Sequence, residues 1–196
     1  MSPCPKLGIS YKIESSLDFR NASVLEIPED MFEGAIVLES VDLSQNFLKV
    51  IPSKIFENNG NLEILNVTRN QISELAPKLI TKALKLVTFD ASNNLLKAIP
   101  DNFFEGNILN FQLFWQSYNN NNINHTLVGL KKIQFVDLSN NRLEFLQSTI
   151  FEPIASLQVL RLSKNQLVTV SQLRMTTENL QVLRIDNNKV IKNFLI

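Results

Sequence analysis

The chain has 196 residues, 44% of them hydrophobic, and its 19 basic and 19 acidic side chains cancel at neutral pH. That balance disfavours a nucleic-acid partner, which needs a strongly basic surface. A single histidine (His125) and a single cysteine (Cys4) leave no nucleophile paired with a base, and no glycine-rich phosphate loop is present, so no catalysis, cofactor or metal is expected.

Residues 1–13 read as an amino-terminal segment or the remnant of a cap. They lack the apolar core of a secretory leader. From residue 14 onward the chain is periodic, with unit starts at 14, 38, 62, 86, 110, 133, 157 and 180 and intervals of 23 or 24 residues. The second unit reads Leu38, Val41, Leu43, Asn46, Leu48, and the third repeats it as Leu62, Leu65, Val67, Asn70, Ile72. Leu86, Phe89, Ala91, Asn94 and Leu96 follow, and later Ile133, Val136, Leu138, Asn141 and Leu143. The last copies run Leu157, Leu160, Leu162, Asn165, Leu167 and Leu180, Leu183, Ile185, Asn188, Val190. Later in each unit comes a column of Ile27, Ile51, Leu75, Ile99, Ile123, Leu146 and Val170. Proline follows at 28, 52 and 100, and then a second apolar column of Phe32, Phe56, Ile80, Phe104, Val128, Phe151 and Met175.

A unit that cannot bury its own apolar face must stack on its neighbours, so the period predicts a solenoid. The alternating L-x-L segment predicts one short strand per unit, inward residues apolar and intervening ones outward, with successive strands parallel. Each asparagine after a strand is expected to turn inward and bond backbone groups. Proline disfavours helix just ahead of it, so the return path should be extended with short helical turns near the phenylalanine column. Two units depart from the pattern. The first has Glu14 and Ala22 at apolar and asparagine positions. The fifth fits with Leu113 and Trp115 inward from 110, which keeps Ile123 and Val128 on their columns, or with Phe111 and Phe114 inward from 111.

The pattern resembles the 24-residue extracellular subtype of the leucine-rich repeat, L-x-x-L-x-L-x-x-N-x-L-x-x-(I/L)-P-x-x-x-F, over residues 14–190. The resemblance implies an α/β leucine-rich repeat solenoid, a curved horseshoe with a concave parallel sheet and a mostly irregular or 3-10 convex side. It fills residues 14–196, with the eighth unit incomplete. It is similar to Toll-type receptor ectodomains and to invertebrate leucine-rich immune and adhesion proteins. Such relatives imply an extracellular or cell-surface, non-enzymatic module that binds a protein, with glycans as a second ligand class. They carry disulfide-bonded caps, whereas this chain has only Cys4, which is a cap remnant, an intermolecular thiol or an inert residue. An extracellular setting without a leader implies a longer precursor. The alternative on the same fold is a cytoplasmic scaffold or regulatory subunit.

The expected partner-binding face comprises Asp42, Asp90, Phe114, Phe135, Asp137, Arg161, Lys164 and Arg184. With Asp18, Glu39 and Glu63 at one end and Val159 and Val182 at the other, it runs from acidic through aromatic to basic and apolar, a pattern suited to oriented docking. Asp137 and Arg161 also fit a plain cross-strand pair. Sequons at Asn21, Asn66 and Asn124 are expected glycosylation sites. The open carboxyl-terminal sheet edge is an expected site of self-association. No segment is long and apolar enough to span a membrane.

Overall fold

The computed structural model describes residues 14–101, 103–104, 133–170, 173 and 177–190. Within them the chain forms a parallel seven-stranded sheet in sequence order. Its strands are β1 (Ser16–Asp18), β2 (Ser40–Asp42), β3 (Ile64–Asn66), β4 (Thr88–Asp90), β5 (Phe135–Asp137), β6 (Val159–Arg161) and β7 (Val182–Arg184). Each is three residues long because only the L-x-L core alternates with period two. The central residue points into the core: Val41, Leu65, Phe89, Val136 and Leu160 are all fully buried. The chain is a leucine-rich repeat solenoid with this sheet along its concave side.

Among the described residues the return path is built mainly from four-residue turns in place of α-helix. Pro28, Pro52 and Pro100 each accept a bond from the amide three residues on, at Met31, Ile55 and Phe103. Proline suits this position because its fixed φ starts the turn and its missing donor is not needed there. Further turns close at Ala35 and Leu38, delivering the chain to the next strand. Among the described residues the only helical element is a 3-10 turn at Thr177–Asn179. The phenylalanine column forms a spine, with Phe32 stacked on Phe56 at 5.5 Å and 6°, and Phe104 against Phe151 at 5.9 Å. Val128 and Met175 lie outside the described residues.

The asparagine ladder ties each turn to the next. Asn70 Oδ1 accepts the Leu48 amide, while its Nδ2 donates to the carbonyls of Leu43 and Val67. Each such carbonyl serves two rungs: Leu43 O accepts from Asn46 and Asn70, and Val67 O from Asn70 and Asn94. The residue before each ladder asparagine is left-handed. Gln45, Arg69, Asn93, Asn140, Lys164 and Asn187 have φ between 53 and 57°.

The fifth rung is a correction. Thr88 pairs directly with Phe135, Phe89 with Val136 and Asp90 with Asp137. A strand from the unit expected at 110 therefore does not stand between β4 and β5, and the fourth unit meets the sixth. Asn141 crosses the junction, accepting the Leu96 amide and donating to Ala91 O. The physical reason is legible in the residues. In the 110 register the ladder position holds Tyr118 and the following buried position Asn120, and in the 111 register these are Asn119 and Asn121, so neither register joins a bridging amide to an apolar side chain and either would bury a polar one. Asn141 and Leu143 supply both. Phe111, Leu113, Phe114, Trp115, Ile123, Asn124 and His125 lie outside the described residues, as does Cys4.

Candidate functional site: the concave sheet face

The alternation of each strand places two side chains per rung on the concave face. One column is Ser16, Ser40, Ile64, Thr88, Phe135, Val159 and Val182, and the other is Asp18, Asp42, Asn66, Asp90, Asp137, Arg161 and Arg184. Parallel, in-register pairing aligns each column across the whole sheet. Six of the expected binding residues, Asp42, Asp90, Phe135, Asp137, Arg161 and Arg184, therefore stand in these two columns. Lys164 sits beyond the strand end, exposed, in the left-handed bend before Asn165.

The carboxylates have a structural task that the sequence reading missed. Asp42 Oδ1 accepts the Ser44 amide at 2.9 Å, Asp90 the Ser92 amide at 3.0 Å and Asp137 the Ser139 amide at 2.9 Å. Asn66 does the same for Thr68 at 3.1 Å. An acid or amide two residues ahead of a small hydroxyl residue, closing a tight turn through its own side chain, is the signal that could have revealed this.

Their second oxygens differ in environment. At the acidic end Arg20, absent from the expected set, lies 2.6 Å from Asp18 Oδ2 and 3.6 Å from Asp42 Oδ2, and it holds the Asp18 carboxyl below the usual range through its hydrogen bonds. Asp42 also accepts from Asn66 Nδ2 at 3.1 Å. Asp137 is buried and faces Arg161, whose Nη1 is 3.4 Å from Oδ2 and whose guanidinium lies 5.2 Å from the centre of the Phe135 ring. The expected cross-strand pair is thus present, and it brings three of the expected residues together. Burial pushes the Asp90 carboxyl up, offset in part by its bonds to Ser92, with Asp137 raising it further and Arg161 lowering it. Asp186, beside Arg184 in sequence, is lowered mainly by the hydroxyl of Ser163.

The face is not uniformly polar. Ile64 is 44% exposed on it, and Phe135, Val159 and Val182 are half-buried. On the opposite, convex side a depression of about 210 Å³ is lined chiefly by Glu29, Asp30, Glu33, Lys54 and Glu57. Among the described residues no three acidic, histidine or cysteine side chains converge to hold a metal ion, and no helix is long and apolar enough to cross a membrane.

Repeat period, asparagine ladder and parallel concave sheet define the class, and the chain belongs to the leucine-rich repeat family, whose model matches residues 15–72, 36–96 and 131–190. Domains of this family are protein-interaction modules. Among solved structures, the leucine-rich repeat domain of APL1B matches with a TM-score of 0.63 at 24% identity, over 80% of this chain and 38% of that one. The APL1 leucine-rich repeat domain gives 0.64 at 24%, over 82% and 36%. A chain of the Drosophila Toll–Spatzle complex, in glycosylated form, gives 0.69 at 21%, over 87% and 21%. At these identities the likeness is one of fold, and the chain spans less than two fifths of each neighbour's length. None of the curated proteins matches the chain in sequence.

Proposed function

We propose that this domain is an extracellular recognition module of innate immunity, receptor signalling or cell adhesion, which docks a protein through its concave face. The observation that carries the reading is the face itself, where Phe135, Val159 and Val182, with Ile64 beyond Thr88, form an apolar row beside a row that turns from acidic to basic. An apolar centre supplies affinity and flanking charges supply orientation. A glycan is the second ligand class for the same face. The outer side of β7, where the inward residue Leu183 is 44% exposed, is the surface we assign to self-association. We read the domain as binding and not catalytic.

Asn21 supports the extracellular setting. It is exposed in a left-handed turn at the edge of the sheet, open to a glycan. Asn66 supports the competing reading, an intracellular scaffold or regulatory subunit, because its amide is engaged by Asp42 and Thr68 on the binding face. Treating the protein from its native source with a glycosidase decides between them: a mass decrease traced to Asn21 is expected, and an unmodified Asn21 sinks the extracellular setting. The face is tested by placing a photo-crosslinking side chain at Thr88 on the sheet or at Lys78 on the convex side, in native extracellular fluid. A discrete adduct with another protein from position 88 is expected; adducts from position 78 alone refute concave docking.

A further inference from the structure

Resting on the concave-face reading, the pattern of satisfied and unsatisfied charges narrows what kind of segment the face accepts. Asp18 and Asp42 share Arg20, Asp42 also accepts from Asn66, and Asp137 meets Arg161. Asp90 is bonded only within its own turn, by Ser92, and makes no ion pair among the described residues. Burial, and after it Asp137, raises its affinity for a proton, offset in part by Ser92 and by the charge of Arg161, so a cation brought against it is favoured. At the other end Arg184 is exposed and makes no ion pair among the described residues. Asp186, within its electrostatic reach, already accepts from Ser163 and Asn187.

Asp90 on β4 and Arg184 on β7 stand in one column, three strand steps apart, which at ~4.8 Å per step sets them roughly 14 Å from each other. The neighbouring column between them presents Phe135, Val159 and Val182, with the Arg161 guanidinium 5.2 Å from the centre of the Phe135 ring. An extended chain advances about 3.3–3.6 Å per residue, so roughly four residues cover that span, and alternate side chains share a face.

We propose that β4 to β7 dock an extended protein segment lying across the strands, with a basic side chain at Asp90, an acidic side chain four residues away at Arg184 and an apolar side chain between them over Phe135, Val159 and Val182. The apolar contact holds the segment and the two ionic ends fix its direction. Because each end is a single charge with no ion pair among the described residues, and the two are opposite in sign, the face discriminates by sign at each end.

The test uses four fluorescent peptides with the core X-Thr-Val-Thr-Z, in which X and Z are Lys and Glu, Lys and Lys, Glu and Glu, or Gln and Gln. Binding to the full chain is read by anisotropy. The Lys/Glu peptide is expected to bind at least about tenfold tighter than Gln/Gln, a difference of about 1.4 kcal/mol. Arg184→Glu should transfer the preference to Lys/Lys, and Asp90→Arg should transfer it to Glu/Glu. Arginine already occupies this column at 161 and 184, so the backbone accommodates it at 90, and circular dichroism of both variants checks the fold. Equal binding of the four peptides, no binding at millimolar concentration, or preferences unmoved by either substitution overturns the proposal. A photo-adduct from position 88 that survives both substitutions removes this segment specificity while leaving concave docking in place.

Discussion

Asn141→Ala tests whether the ladder is what joins β4 to β5. In the folded chain Asn141 Oδ1 accepts the Leu96 amide at 3.0 Å, and Nδ2 donates to Ala91 O at 3.0 Å and Leu138 O at 3.1 Å. Both carbonyls keep a second asparagine, Asn94 for Ala91 and Asn165 for Leu138, so only the buried Leu96 amide is stranded outright. A stranded buried donor costs about 1–3 kcal/mol and each lost hydrogen bond about 1 kcal/mol, so the substitution should cost about 3–4 kcal/mol. That is a large share of the ~5–15 kcal/mol of an ordinary domain. The internal control is Asn188→Ala on the outermost described rung. Its equivalent bonds, to Leu167 N, Leu162 O and Ile185 O, are only partly buried, so water replaces them at a cost of about 1 kcal/mol. Urea unfolding of both variants, followed by circular dichroism, measures the difference. Equal losses, or a loss below about 1 kcal/mol at Asn141, would refute the assignment of ladder strength to buried amide satisfaction.

Deleting residues 110–132, so that Ile133 takes the place at which the regular period sets a unit start, should leave the far-ultraviolet spectrum of the strands unchanged and the melting temperature within a few degrees; collapse of the fold would show that the segment is needed for the β4–β5 junction. Asp90→Asn should keep the Ser92 bond, as Asn66 does for Thr68, while removing a carboxylate whose proton affinity is raised by folding. The sign follows from linkage: with the folded pKa above the unfolded one, the group's favourable contribution is full below the ordinary carboxylate value and is lost as pH rises through the raised value. The variant should therefore match the parent at acid pH and exceed it by up to about 1 kcal/mol at neutral pH, read from melting curves across that range. Arg161→Glu should destabilise by about 2–4 kcal/mol because it sets a like charge beside buried Asp137, whereas exposed Arg184→Glu should change stability by under about 0.5 kcal/mol; thermal denaturation distinguishes them. Phe56→Ala, which removes a fully buried ring stacked on Phe32, should cost about 3–5 kcal/mol by the same assay.

The repeat made most of this architecture readable, because each column repeats one physical decision. Val41, Leu65, Phe89, Val136 and Leu160 are interchangeable apolar fillers of one inward site, and Asn46 through Asn188 solve one hydrogen-bonding problem at each turn. The skipped rung was harder to see, since Ile123 and Val128 fit their columns and only the residues at 118, 120 and 121 argue against it. Skipping is a competition between two possible neighbours for the same sheet edge, and a column-by-column reading has no place for that comparison. The candidate face divided in a similar way. The sign change from Asp137 to Arg161 stands in the sequence, but that Arg161 is committed to Asp137 and Phe135 while Arg184 has no ion pair among the described residues depends on side-chain geometry. Arg20 was overlooked because it lies two residues past the strand and reaches back along the turn.

The left-handed bend before each ladder asparagine holds glutamine, arginine, asparagine, asparagine, lysine and asparagine in turn, all exposed and all within a few degrees of the same φ. Conformation there is dictated by the bonding around the bend, and among the described residues only Asn93 and Asn187 make a side-chain bond, each to the residue just before it. The rim of the sheet thus carries a row of positions at which chemistry can be exchanged while geometry stays constant, so the same backbone can be turned toward a different ligand without being rebuilt.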